Sequence, residues 1–141
     1  MAFEQRMTML TLGVADLGRA RAFYESLGWR ASSASQSDVV FFQMGGSALA
    51  LYRQEALSRD LQGEGAPRPG GVTLAYNTRS RDEVELRLRE AEAAGATVLR
   101  APHETSWGGT VAYFADPDGH PWDITFVESF IPAPDGSIEL P

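Results

Sequence analysis

The chain has no cysteine and no lysine among its 141 residues, and only two histidines. Without cysteine there can be no disulfide, no thiolate metal site and no cysteine nucleophile. Without lysine there is neither a Schiff-base amine nor the lysine of a phosphate-binding loop. All positive charge is arginine: 12 Arg stand against 19 Asp and Glu, for a formal net charge of −7. A surface of that sign repels phosphate backbones, which argues against nucleic acid as a partner. No apolar run approaches the roughly 20 residues that span a bilayer. The opening Met1-Ala2-Phe3-Glu4-Gln5-Arg6 also lacks the basic-then-apolar order of a signal peptide. A cytoplasmic protein with no membrane partner is expected, and by length a single domain.

What is present is a repetition. Leu10, Leu12 and Val14 alternate with Met9, Thr11 and Gly13, which is strand periodicity. Asp16 offers an N-cap, Leu17, Ala20, Phe23, Tyr24 and Leu27 recur at helical spacing, and Gly28 can close the helix. Strands are predicted near Trp29–Ser32, Asp38–Met44 and Ser47–Arg53, with Gly45-Gly46 turning between the last two. The same order then recurs. Val72, Leu74 and Tyr76 restart the strand pattern, and Ser80-Arg81-Asp82-Glu83 reads as a capping box opening a helix over Arg81–Ala94, ended by Gly95. Strands follow near Thr97–Arg100, Thr110–Ala115 and Trp122–Val127, the last two joined by the Asp116–Gly119 turn. A repeat of about sixty residues is too long for a solenoid and fits a duplicated βαβββ unit. The fold class is α+β: two tandem modules, about 7–54 and 71–128, forming a curved mixed-sheet cup. A Gly- and Pro-rich linker over 55–70, with a short helical turn around Glu55–Leu61, and a turn-rich tail over 129–141 complete the domain.

Two stretches carry a resemblance to a known family. Thr11-Leu12-Gly13-Val14-Ala15-Asp16-Leu17 through Phe23-Tyr24-Glu25-Ser26-Leu27-Gly28-Trp29 resembles the opening of the vicinal oxygen chelate superfamily. Trp107-Gly108-Gly109 and Tyr113-Phe114-Ala115-Asp116-Pro117-Asp118-Gly119-His120-Pro121-Trp122-Asp123 resemble its closing signature. That superfamily includes glyoxalase I, extradiol dioxygenases, fosfomycin-resistance transferases and bleomycin-binding proteins. The resemblance implies a cup around a small-molecule site and, in small members, a homodimer that completes it. It also implies metal ligands on the first and fourth strands of each module. Those positions fall on Met9, near Ala50, on Gly71 and on Asp123. Only Asp123 can bind a hard or borderline cation, where about three protein ligands are needed. The expectation is therefore no metal and no cofactor, with a small hydrophobic or aromatic molecule bound for sequestration or sensing. The alternative is a glyoxalase-like lyase or isomerase, or a dioxygenase-type enzyme, using Asp123.

The expected ligand-binding residues are Met9, Thr11, Ala50, Tyr52, Thr73, Trp107, Tyr113 and Asp123. Leu10, Leu12, Val14, Leu49, Leu51, Val72, Leu74, Ile124 and Phe126 should pack under the helices. The opposite faces then carry residues too short to fill a curved sheet, which leaves a cavity. Asp123 has two open roles, a general base or orienting acceptor and a former ligand position bonded to a neighbouring hydroxyl. Trp107 is either a stacking lid over a planar ligand or a packing residue at a dimer seam. Trp29 and Trp122 are expected in the core. His103, in a loop after Pro102, and His120, beside the Asp118-Gly119 turn, match no ligand position. His120 should bond backbone or pack on Pro121. The alternating Arg79, Arg81, Arg87, Arg89 and Glu83, Glu85, Glu90, Glu92 read as a solvated helix face.

Overall fold

The computed structural model describes residues 3–62 and 68–140. In chain order its elements are β1 (Met9–Val14), α1 (Leu17–Ser26), β2 (Val39–Met44), β3 (Ser47–Arg53), α2 (Gln54–Asp60), β4 (Leu74–Asn77), α3 (Asp82–Ala93), β5 (Thr97–Glu104), β6 (Thr110–Ala115) and β7 (Pro121–Phe126). They form two mixed sheets, of order β1-β3-β2 and β4-β7-β6-β5. In each, the first strand runs parallel to the last and the remaining pairs are antiparallel. This is the α+β fold of duplicated βαβββ modules, with no helix among the described residues long and apolar enough to cross a membrane.

The two copies are not equal. Where the first module was expected to carry a strand over Trp29–Ser32, only Ala31 forms a bridge, to Phe42. The reason lies on both sides of it. Trp29 turns inward and stacks on Tyr24, with centroids 5.3 Å apart and planes at 14°. Beyond it the Ser32 hydroxyl accepts from the Ala34 N–H and the Ser35 hydroxyl from the Phe41 N–H. Such local side-chain bonds compete with a ladder. The second module differs at its start: Val72 and Thr73 lie outside β4, after Gly70 at φ 120°. Val72 is consequently exposed rather than packed under a helix.

Asp16 caps α1 as its residue type requires, accepting from the Arg19 N–H at 3.0 Å, and Gly28 follows at φ 95°. The capping box before α3 does not form. Arg81 occupies the cap position in helical conformation with no side-chain cap bond, and the Thr78 hydroxyl donates to the Ser80 carbonyl instead. Asp82, Glu83 and Glu85 in the first turn oppose the positive helix end. Arg79 and Arg81 thus precede the helix. Arg89–Glu85 is the surface ion pair expected of its outer face, while in the Arg87–Glu90 pair Arg87 is partly turned in and its Nε is buried.

One hydrophobic core joins both modules. Leu12, Val14, Leu49 and Leu51 from the first sheet and Phe114, Trp122, Ile124 and Phe126 from the second belong to it, beneath Phe23 and Tyr24 of α1 and Val84 and Leu88 of α3. Trp122 stands in it as expected, whereas Trp29 is only partly buried and packs at its margin with Leu10 and Leu74.

The Asp116–Gly119 turn fastens the modules together. The Tyr24 hydroxyl donates to Asp116 Oδ2 at 2.6 Å, and Asp118 Oδ1 accepts from the Ala15 N–H at 2.9 Å. His120 Nε2 lies 2.8 Å from the Gly13 carbonyl oxygen, so that nitrogen carries the proton it donates. The most conspicuous motif of the sequence is a clasp between copies.

Candidate functional site

Period-two alternation and register decide which side chains share the face turned away from α1 and α3. On the first sheet these include Met9, Thr11, Ala48, Ala50 and Tyr52, since Met9 pairs with Ala48 and Thr11 with Ala50. The Tyr52 hydroxyl donates to Asp60 Oδ2 at 2.7 Å, which draws α2 back across this face. Ala50 is fully covered, and Ala56 of α2 is buried with it. Met9 and Thr11 stay exposed at the edge strand. The hydrogen bond to Asp60 also raises the phenol of Tyr52.

The second sheet carries the polar face. One row across it is Ala75, Asp123, Tyr113 and Arg100; the next is Asn77, Thr125, Val111 and His103. Asp123 is partly buried and accepts from the Thr125 hydroxyl at 2.6 Å. Its carboxyl titrates above the ordinary value of 3.8, because burial disfavours the charge by more than that hydrogen bond favours it. The His103 ring stacks near Tyr113, with centroids 6.3 Å apart and planes at 22°, and its Nδ1 donates to the Ala101 carbonyl. Nε2 is left to serve as an acceptor. The Asn77 side-chain amide donates to the Phe130 carbonyl, which brings the turn after β7 against the end of β4.

His103 therefore lies on a strand, not in a loop. β5 runs to Glu104 because two irregularities in its pairing with β6, between Val98 and Arg100 and between Arg100 and His103, absorb Pro102. Those bulges put Arg100 and His103 in the rows of Asp123 and Thr125, and no local periodicity signals them. Asn77, the last residue of β4, needed only that strand's alternation carried past Tyr76. Thr73 is exposed before that strand and belongs to neither row. Trp107 stands 57% exposed on the β5–β6 hairpin, its ring folded so closely over Gly109 that a Cβ there would clash with it. The eight sequence-chosen residues thus divide between two sheets and two loops. Tyr113 and Asp123 are direct cross-strand neighbours, and Met9, Thr11, Ala50 and Tyr52 form a second group.

The fold agrees with comparison to other proteins. The model of the glyoxalase/bleomycin resistance protein/dioxygenase superfamily matches residues 6–124. The chain belongs to that superfamily. A glyoxalase-related enzyme from Fulvimarina pelagi is 35% identical, superposes with a TM-score of 0.90, and is matched over 96% of this chain and 98% of that one. A lactoylglutathione lyase from Agrobacterium tumefaciens (24% identity, TM-score 0.69, 86% of this chain and 93% of that one) shares the fold. So does a superfamily enzyme from Burkholderia phytofirmans PsJN (22%, 0.75, 85% and 97%). No curated protein matches the sequence.

Metal-dependent members of the superfamily need a donor set that these residues do not supply. At the implied positions Met9 offers an exposed thioether, Ala50 a covered methyl group and Gly71 no side chain. Asp123 alone has ligand oxygens, one already engaged by Thr125. Among the described residues no three His, Cys, Asp or Glu side chains converge to hold an ion. The residues do not fit the metal.

Proposed function

We propose that this superfamily member binds a small apolar or aromatic molecule without metal on the polar face of its second sheet, as a cytoplasmic homodimer that sequesters or senses its ligand. One observation carries the reading: Asp123 is the sole ligand-type residue at the implied metal positions, and it stands partly buried beside Thr125, Tyr113 and Ala75. A lone carboxylate in such surroundings is an anchor for a hydrogen-bond donor or a cation, and the net charge of −7 favours neutral or cationic ligands. Tyr113 and the stacked His103 supply a flat wall for an aromatic ring.

The test has two arms. Protein expressed in medium supplemented with iron, nickel, zinc and manganese should carry only traces of metal by elemental analysis. Berberine, a flat aromatic cation with no hydrogen-bond donor, should bind saturably and lose about tenfold in affinity in Asp123→Asn, which removes the negative partner of its charge. Near-stoichiometric metal, or berberine affinity indifferent to that substitution, would overturn the reading.

The raised carboxyl of Asp123 favours one second reading, a metal-independent proton abstraction next to a carbonyl with Asp123 as base. Turnover of the hemithioacetal of methylglyoxal and glutathione by metal-free protein, abolished in Asp123→Asn, would establish it in place of binding alone.

A further inference from the structure

A cavity of about 220 Å³ lies on the opposite side of the second sheet from Asp123, between that sheet, α3 and the residues that follow α1. Trp29, Trp122, Phe114 and Tyr76 wall it, and Arg87 and Glu90 of α3 stand at its mouth. Beside Arg87 and Glu90, α3 presents the methyl group of the buried Ala91 there, where a larger side chain would take up space.

Its walls are fixed before anything binds. The Trp122 indole N–H donates to the Tyr24 hydroxyl at 3.1 Å, which donates in turn to Asp116. Trp29 is held by stacking on Tyr24 and edge-on to Trp122, with centroids 5.8 Å apart and planes at 62°. Phe114 lies parallel to Trp122 at 2°. A ligand entering between such rings orders few side chains, so little binding energy is lost to reorganisation.

The mouth supplies a polar direction. Arg87 Nη1 is paired with both carboxylate oxygens of Glu90, at 2.9 and 2.8 Å. Arg87 Nε is buried with no hydrogen-bond partner, one of two such side-chain atoms among the described residues. That N–H is covered in this structure, and an acceptor carried by a ligand reaches it once the partly exposed Arg87 side chain shifts, which relieves an orphaned donor. Glu90 already balances the guanidinium charge, so a neutral acceptor suits the site better than an anion. We propose that this cavity is a second small-molecule site, distinct from the face around Asp123, that takes a flat neutral aromatic carrying one carbonyl or ring-nitrogen acceptor. The ring lies among Trp29, Phe114 and Trp122, and the acceptor meets Arg87 Nε–H.

The test is titration of isotopically labelled full-length chain with acetophenone, ethylbenzene and benzoate, followed through the indole N–H signals of Trp29 and Trp122 and the Nε–H signal of Arg87. Acetophenone should shift all three saturably. Ethylbenzene, which has the ring and no acceptor, should bind about tenfold more weakly, and benzoate no better than ethylbenzene. Arg87→Lys keeps a positive charge opposite Glu90 but has no N–H at that depth, and should bring acetophenone down to the ethylbenzene level. Asp123→Asn should change none of this, which separates the site from the one proposed above. Absence of a saturable shift, equal binding of acetophenone and ethylbenzene, a preference for benzoate, or loss of the shifts in Asp123→Asn would each overturn the proposal.

Discussion

Burial lifts the Asp123 carboxyl and the Thr125 hydroxyl pulls it back, with burial the larger effect. The sign of the consequence follows from proton linkage. Between the ordinary value of 3.8 and the higher folded value, the native state holds more protons than the unfolded chain, so stability falls as pH rises through that window. Below it Asp123 costs nothing; above it the full cost of a desolvated carboxylate is present. Thr125→Val should therefore move the Asp123 midpoint further up, read by a carboxyl NMR titration, and Asp123→Asn should abolish the fall in stability. An unmoved midpoint in Thr125→Val would mean that the 2.6 Å contact does not act on the charge. Asp123 itself was legible from its place in the closing signature. Its neighbours Arg100 and His103 were not, because bulges around Pro102 set their register, and a one-residue slip reverses every side chain beyond it.

The β6–β7 turn shows what an element adds to its residues. Asp116 Oδ1 accepts the N–H groups of Asp118 and His120, closing the turn, while Oδ2 takes the Tyr24 hydroxyl from α1. Burial and the Asp116 charge push the Tyr24 phenol far above its ordinary 10.0, so it ionises only on unfolding and stability declines as pH climbs past 10.0. Tyr24→Phe removes one oxygen and strands both a carboxylate oxygen and the Trp122 indole N–H in the core. We expect a loss in the upper part of about 1–3 kcal/mol by urea denaturation. Ser26→Ala, which deletes an exposed hydroxyl bond on the same helix, should stay within about 0.5 kcal/mol. Equal losses would deny the clasp. Elements bounded by their own residues were readable: Asp16 and Gly28 frame α1, and Gly45-Gly46 turns β2 into β3. Those decided by partners elsewhere were not. Trp29 leaves the expected strand for Tyr24, and Ser80 yields the cap before α3 to Arg81.

At the scale of the whole molecule the two sheets share no ladder. β1 and β4 are each a terminal strand of their sheet, and a cavity of about 240 Å³ separates Leu10–Gly13 from Gly70–Leu74. Apolar side chains collect at these edges: Phe3, Met7 and Met9 lead into β1 and Val72 into β4, all exposed. Unpaired edges beside exposed apolar groups invite association, and natural proteins blunt or cover them. A second copy is the cover that fits the proposed homodimer. Ahead of β1, Glu4 and Arg6 pair with one another, and Arg68 lines the cavity between the two edges. Light scattering coupled to size exclusion should therefore give two chains per particle. Met9→Glu combined with Val72→Glu, which places a desolvated charge on both edges, should give one chain with an unchanged circular dichroism spectrum. A wild-type chain that stays single at micromolar concentration would remove the partner from this surface. It would also leave α2, drawn across the first sheet by Tyr52 and Asp60, as cover for the face turned away from α1.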